Sequence, residues 1–124
     1  MITLKDILYK VAIEVVKGST EMAINKIEFD SRTAVTVMTV SGGYPGGYSK
    51  GKEIIGLEKV TNSIVFHAGT AFKENKVVSN GGRVMAVTSF GDTIEEALKK
   101  SYKSIDLIHF DKMNYRKDIG FDLT

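Results

Sequence analysis

A chain of 124 residues, 43% hydrophobic and 26% charged, has the proportions of a single ordinary soluble domain and excludes disorder and collagen-like repeats. It has no cysteine, so disulfides, thiolate metal sites and a cysteine nucleophile are ruled out. The net charge of +2 is too small to imply a nucleic-acid partner. No apolar run nears the ~20 residues of a membrane span and MITLKDILYK is no signal-peptide core, so no membrane partner and a cytoplasmic location are expected.

The opening segment, Ile2 to Lys17, places Leu4, Ile7, Leu8, Val11, Ile13, Val15 and Val16 at helical more than strand spacing. Thr3 is placed to cap this helix and Gly18 to end it. After a polar stretch, valines and threonines alternate from Ala34 to Val40 in the manner of a strand that stops at Ser41. The next ten residues, SGGYPGGYSK, hold four glycines and the only proline, Pro45, and mark a shaped loop. Beyond Gly51, EIIGLEKV and SIVFHAGT read as short strands, and TAFKENKVVS as a hairpin turning at Glu74 and Asn75. Past Asn80, Gly81 and Gly82, RVMAVTSF is a further strand by composition.

Thr93 and Glu96, three positions apart, form a capping box, and Ile94, Ala97, Leu98, Tyr102, Ile105 and Ile108 continue at helical spacing. His109 is expected near the end of that helix. The tail HFDKMNYRKDIGFDLT is too dense in aromatic and charged residues for a linker and is expected to pack back on the domain. The fold class is α+β: an N-terminal helix, a small largely antiparallel sheet, a C-terminal helix and an irregular tail. A single domain over 1–124 is expected, with 1–28 a helical lead-in to a body over 29–124.

Gly46 to Lys52 (GGYSKGK) matches most of a Walker A pattern and then fails it. Glu53 stands where Ser or Thr must reach Mg²⁺, and Gly56 breaks the helix that must follow. His67 and His109 are the only histidines, which removes a multi-histidine metal site, and no residue declares itself a catalytic acid, base or nucleophile. His67 reads as a strand-end histidine bonded to backbone. KVVSNGGRV is more informative, because Lys76 and Arg83 flank a glycine turn. There the arginine fork, the lysine charge and the Gly81 and Gly82 amides can cradle one phosphate. The same spacing suits a hairpin carrying two solvated charges. Tyr115, Arg116, Lys117 and Asp118 read as a surface ion-pair group.

Taken in order, VSGGYPGGYSKGKEIIGLEKV, VFHAGTAF, KVVSNGGRVMAVTSFGDTIEEALKKSY and NYRKDIG resemble the carboxy-terminal domain of the phosphoribosylamine-glycine ligase (glycinamide ribonucleotide synthetase) family, over about Phe29 to Leu123. The resemblance implies part of an ATP-grasp enzyme of de novo purine synthesis. In that family ATP phosphorylates the glycine carboxylate and the amine of phosphoribosylamine attacks the acyl phosphate, giving glycinamide ribonucleotide, ADP and phosphate. The ATP-grasp core, which holds ATP and Mg²⁺ or Mn²⁺, has no counterpart in these residues. The chain is therefore expected to be an excised fragment or a separately encoded domain, inactive alone. Its implied partners are that core and the substrates phosphoribosylamine and glycine.

Residue by residue, the resemblance favours Lys76 and Arg83, with Gly81 and Gly82, as a ribose-phosphate cradle. It makes Gly42, Gly43, Tyr44 and Pro45 (SGGYPG) and His67, Gly69 and Thr70 (HAGT) substrate-side loops, glycine serving where a Cβ blocks close approach or φ is positive. Tyr115 and Arg116 match the tail motif, either touching ligand or fastening the tail. The alternative of a different class is a stand-alone sugar-phosphate-binding module without catalysis.

Overall fold

The computed structural model describes Ile2, Thr3, Lys5, Glu21, Ala23, Ile24, Lys26 and residues 28–123. It divides into two compact units, Met1–Ser31 and Arg32–Thr124. In the first, β1 (Ile2–Thr3) pairs antiparallel with β2 (Ala23–Ile24), and Lys5 pairs with Glu21 at 3.6 Å. Of the stretch read as an opening helix, only Ile2, Thr3 and Lys5 are described. Thr3, the expected cap, is a strand residue and Lys5 is helical; the rest of that helix lies outside the described residues.

In the second unit the elements are β3 (Thr33–Ser41), β4 (Ile64–His67), β5 (Thr70–Lys73), β6 (Lys76–Ser79), β7 (Arg83–Gly91), α1 (Ile94–Ile105) and β8 (Met113–Asn114). One sheet has the order β4-β7-β3-β8 and β5 with β6 forms a separate hairpin, every pairing antiparallel, so the α+β class holds. Glu74 and Asn75 join the hairpin with φ of 52° and 61°, the left-handed geometry of a two-residue turn.

Directly opposite residues share a face of the sheet. Val37, Val87 and Ser89 lie on the α1 side, where Ala97, Ser101, Ser104 and Ile105 form the buried side of the helix. The small residues of α1 let it sit close to the sheet, and the serine hydroxyls satisfy one another: Ser63 reaches Ser89 and Ser104 at 2.6 Å, and Ser101 donates to Ser89 at 2.9 Å. Val37, Met85, Val87, Ile105, Ile108 and Phe110 make the dry centre. On the opposite face Thr36 and Thr88 bring their hydroxyls to 2.8 Å.

One irregularity in this sheet bears on the site. β3 and β7 pair residue for residue as far as Thr39 with Met85, and then Val40 faces Arg83, leaving Val84 as the extra residue of a bulge. Val84 and Met85 are consecutive yet both fully buried. Strict alternation from Met85 would put Arg83 on the α1 face; the bulge moves it to the face of Val40.

The predicted capping box forms, with the Thr93 hydroxyl accepting from the Glu96 amide at 3.2 Å. The Glu96 carboxylate accepts from the Asp92 amide at 3.0 Å, one residue earlier than the motif specifies. The helix stops at Ile105, three residues short of the predicted Ile108. Ile108 is a core residue just past the helix, its amide bonded to the Ile105 carbonyl at 3.0 Å, and His109 stands beyond the helix rather than at its end, exchanging backbone bonds of 2.9 and 3.0 Å with Ile55. EIIGLEKV is likewise no strand. Glu53 and Ile55 make single bridges to Val78 and His109, and Gly56, at φ 88°, leads into a 3-10 turn, Leu57–Lys59. No helix follows Lys52, so the Walker-like run lacks the helix N-terminus a phosphate would need.

The tail packs back as expected: β8 extends the sheet, and the Tyr102 hydroxyl donates to the Arg116 carbonyl at 3.0 Å and accepts from the Ile119 amide at 3.3 Å. Among the described residues no helix is long and apolar enough to cross a membrane.

Candidate functional site

Three loops close on the turn between β6 and β7. Ser41, where β3 ends, donates its amide to the Gly82 carbonyl and its hydroxyl to the Gly81 carbonyl, both at 2.8 Å. From the β4–β5 connection, the Gly69 amide donates to the Arg83 carbonyl and the Gly69 carbonyl accepts from the Asn80 amide, again at 2.8 Å. From the glycine-rich loop, the Gly51 amide donates to the Ser79 carbonyl at 2.6 Å, while the Ser79 amide reaches the Lys52 carbonyl at 2.8 Å. Backbone bonds on three sides thus set the positions of Gly81, Gly82 and Arg83 without help from a ligand, the preorganisation a binding site requires.

The glycines permit this closeness. A Cβ on Gly69 would stand 2.5 Å from the Arg83 carbonyl and 2.8 Å from the Gly81 Cα, so only two bare backbones can approach this way. A Cβ on Gly82 would overlap the ring of Tyr44, which lies flat against the turn. Tyr44, followed by Pro45 in a cis peptide, meets Tyr48 edge to face with ring centres 6.0 Å apart. Gly43 carries φ of 98° where the loop doubles back, and a Cβ on Gly42 would be 2.7 Å from the Lys112 carbonyl.

Arg83 leaves this cluster exposed, and its guanidinium makes no hydrogen bond or ion pair among the described residues. On the neighbouring segment, whose Gly69 amide bonds the Arg83 carbonyl, His67 at the end of β4 and Thr70 at the start of β5 are bonded to each other through Nδ1 and Oγ1 at 3.0 Å. His67 is therefore held by a side chain, not by backbone as its position suggested. Lys76 is placed elsewhere. It begins β6 at the hairpin's turn, ~10 Å of strand from Ser79, and its ammonium pairs with Glu53 at 3.0 Å.

Tyr115 and Arg116 lie at the β8 edge. Tyr115 packs on the Tyr102 ring with centres 6.1 Å apart, and Arg116 grips the Asp118 carboxylate through Nε and Nη2, each at 2.9 Å. Those two bonds hold the Asp118 carboxyl below its ordinary range and raise Arg116 above its own. With Met38, Val40, Asn114 and Ile119 they line a shallow, largely apolar hollow of about 260 Å³. Among the described residues no group of three or more His, Asp or Glu side chains is placed to hold a metal ion.

Sequence reasoning passed over Ser41, Ser79 and Glu53. The two serines bind the turn and the loops together, and a signal was present, since each shortly precedes a Gly-Gly pair. Glu53 left none, because its contact with Lys76 spans 23 residues.

Residues 34–122 match the family described as phosphoribosylglycinamide synthetase, C domain. The chain is 43% identical over 110 residues to the phosphoribosylamine-glycine ligase of Caldanaerobacter subterraneus, a match covering 87% of this chain and 26% of that protein. It is 44% identical over 120 residues to the trifunctional purine biosynthetic protein adenosine-3 of Gallus gallus, covering 95% of this chain and 12% of the relative. The crystal structure of the Thermotoga maritima phosphoribosylamine-glycine ligase superposes with a TM-score of 0.62 at 41% identity, over 68% of this chain and 21% of that one. The chain thus spans about a quarter of the length of the bacterial relatives it matches.

Proposed function

The chain belongs to the phosphoribosylglycinamide synthetase C-domain family, and from that membership we propose that it is the substrate-closing domain of an ATP-dependent ligase that joins glycine to 5-phosphoribosylamine. ATP and its metal ion would be held by the remainder of the enzyme, which supplies the phosphorylation of glycine. The described residues position and enclose; none of them is placed as a general acid or base. Beyond that membership the reading rests on one observation, an exposed arginine, unpaired among the described residues, that leaves a glycine turn bonded by neighbouring loops. The turn sets where its side chain starts, and the guanidinium can meet a face of phosphate oxygens through two parallel bonds.

In this proposal Arg83 anchors the substrate's phosphate, with the Gly81–Gly82 backbone beside it and His67 and Thr70 at the rim. Lys76 is a second cation in reserve. Its pair with Glu53 is half exposed and so worth at most about 1 kcal/mol, less than the ~1.5–3 kcal/mol of a charge-assisted bond to phosphate. An arriving dianion can draw it away.

Arg83→Ala in a complete ligase carrying this domain tests the reading. Loss of one such bond is expected to raise KM for phosphoribosylamine by roughly 10- to 100-fold while ATP affinity stays unchanged. An unchanged KM for the amine removes Arg83 from the site.

A further inference from the structure

Asn80 is the only asparagine of the chain that precedes a glycine. Asparagine is thermolabile because the backbone nitrogen of the next residue can attack its side-chain carbonyl carbon, and glycine, with no Cβ, shields that nitrogen least. Asn80 is exposed, and its carboxamide makes no hydrogen bond among the described residues. The peptide unit that follows it is also unrestrained. The bonds that fix the turn take the Asn80 amide and the carbonyls of Gly81, Gly82 and Arg83. Neither the Asn80 carbonyl nor the Gly81 amide is bonded among the described residues, so this one peptide plane can swing while its neighbours are held. Swinging it changes ψ of Asn80 and φ of Gly81, and glycine accepts either sign of φ. Asn114 shows the opposite arrangement: its side-chain oxygen accepts from the following amide, that of Tyr115, at 2.9 Å, which occupies both reacting groups.

We propose that Asn80 and Gly81 form a self-modification site, at which the folded chain converts Asn80 through a succinimide to isoaspartate and so unfastens the turn that carries Arg83. The Gly81 nitrogen bonds to the Asn80 side-chain carbonyl carbon, the C–N bond of the carboxamide breaks, and the proton lost by Gly81 passes through solvent to the departing ammonia. One water then opens the ring. Cleavage at the side-chain carbonyl leaves aspartate; cleavage at the main-chain carbonyl leaves isoaspartate, in which the chain runs through the former side chain and gains a methylene. Water is the only co-reactant, and nothing is oxidised or reduced. Either product adds a carboxylate close to Arg83. The added backbone atom of isoaspartate also lengthens a turn held at 2.8 Å by Ser41 on one side and Gly69 on the other, and those bonds cannot all be kept. The conversion rests on the turn alone, whereas its effect on catalysis rests on the function proposed above.

The test ages the chain in warm, mildly alkaline buffer, folded and in urea, and follows the tryptic peptide 77–83 by mass spectrometry, with isoaspartate identified by enzymatic methylation. Isoaspartate is expected at Asn80 of the folded chain while Asn25, Asn62, Asn75 and Asn114 stay intact over the same period. In the converted chain the Ser41 and Gly69 amides are expected to lose their protection from hydrogen exchange. Asn80→Gln, whose longer side chain disfavours ring closure, is expected to stay unconverted with both amides protected. An Asn80 that converts in urea and survives in the folded chain overturns the proposal, as does a converted chain in which both amides remain protected. In a complete ligase carrying this domain, conversion is expected to raise KM for phosphoribosylamine roughly fivefold or more, the effect of one added charge about 4 Å from the phosphate even in water. Conversion and lost protection with KM unchanged leave the modification standing and sink the function proposed above.

Discussion

Gly82→Ala probes how the site is built. The Gly82 backbone is not left-handed, so alanine meets no conformational penalty, and the perturbation is the overlap of its Cβ with the Tyr44 ring. Either the ring is expelled or the turn shifts. Tyr44 is 38% exposed, so its expulsion surrenders on the order of 100 Å² of burial, about 2.5 kcal/mol at 25 cal per Å². Holding the ring and straining the turn costs about 1–3 kcal/mol, the usual range for an overpacked core. Both routes put the loss near 2 kcal/mol, a shift of several degrees in Tm for a chain of this size. Urea unfolding of Gly82→Ala, Tyr44→Ala and the double variant measures it. In the Tyr44→Ala background the glycine substitution is expected to cost under ~0.5 kcal/mol, a coupling of at least ~1 kcal/mol between the two positions. Gly47→Ala, with nothing within 4 Å of its Cβ, is the neutral control. An equal loss with and without the Tyr44 ring would refute the packing described here.

Glu53→Gln, in a complete ligase, releases Lys76 and is expected to lower KM for phosphoribosylamine severalfold, an effect that Lys76→Ala should erase; an unchanged KM places Lys76 outside the cradle. The Glu96 carboxyl is held below its ordinary 4.5 by the Asp92 amide first and Lys100 second. A carboxyl whose folded value is depressed contributes stability that is present above pH 4.5 and lost as pH falls through the lower folded value. Thermal unfolding from pH 6 to pH 3 should therefore show a shallower acid limb in Glu96→Gln, whose amide can still accept the cap bond, and superimposable limbs would exclude the contribution.

Local chemistry made much of the fold readable. The alternation of Val35 and Val37 with Thr36 and Thr39, the Thr93–Glu96 cap and the Glu74–Asn75 turn are each specified within a few residues, and each forms. What failed was what depends on distant partners. Ile108 kept helical period because it is a core residue, yet its amide only closes a turn onto the Ile105 carbonyl, and the next residue, His109, is paired with Ile55, 54 positions earlier in sequence. EIIGLEKV has strand composition, but the close approach of Leu107 to Gly56 bends it into a 3-10 turn. The candidate site divides the same way. The glycines of SGGYPG, HAGT and NGGR meet as neighbouring loops, whereas Lys76, joined to Arg83 by the turn spacing and by the family resemblance, begins β6 at the hairpin's turn and is bonded to Glu53, a contact no local pattern encodes.

The bulge decides which face of the sheet carries Arg83. Were β7 regular, Arg83 would follow Met85 onto the α1 side, against the core and away from any incoming body. One extra residue at Val84 turns it to the opposite face, where its side chain is exposed. Alone in water, a guanidinium there is screened over about 8–10 Å of ordinary saline and competes with solvent for each phosphate oxygen. In a cleft closed to water the same group would act in a lower effective dielectric, where a contact at 4 Å is worth about four times its value in water.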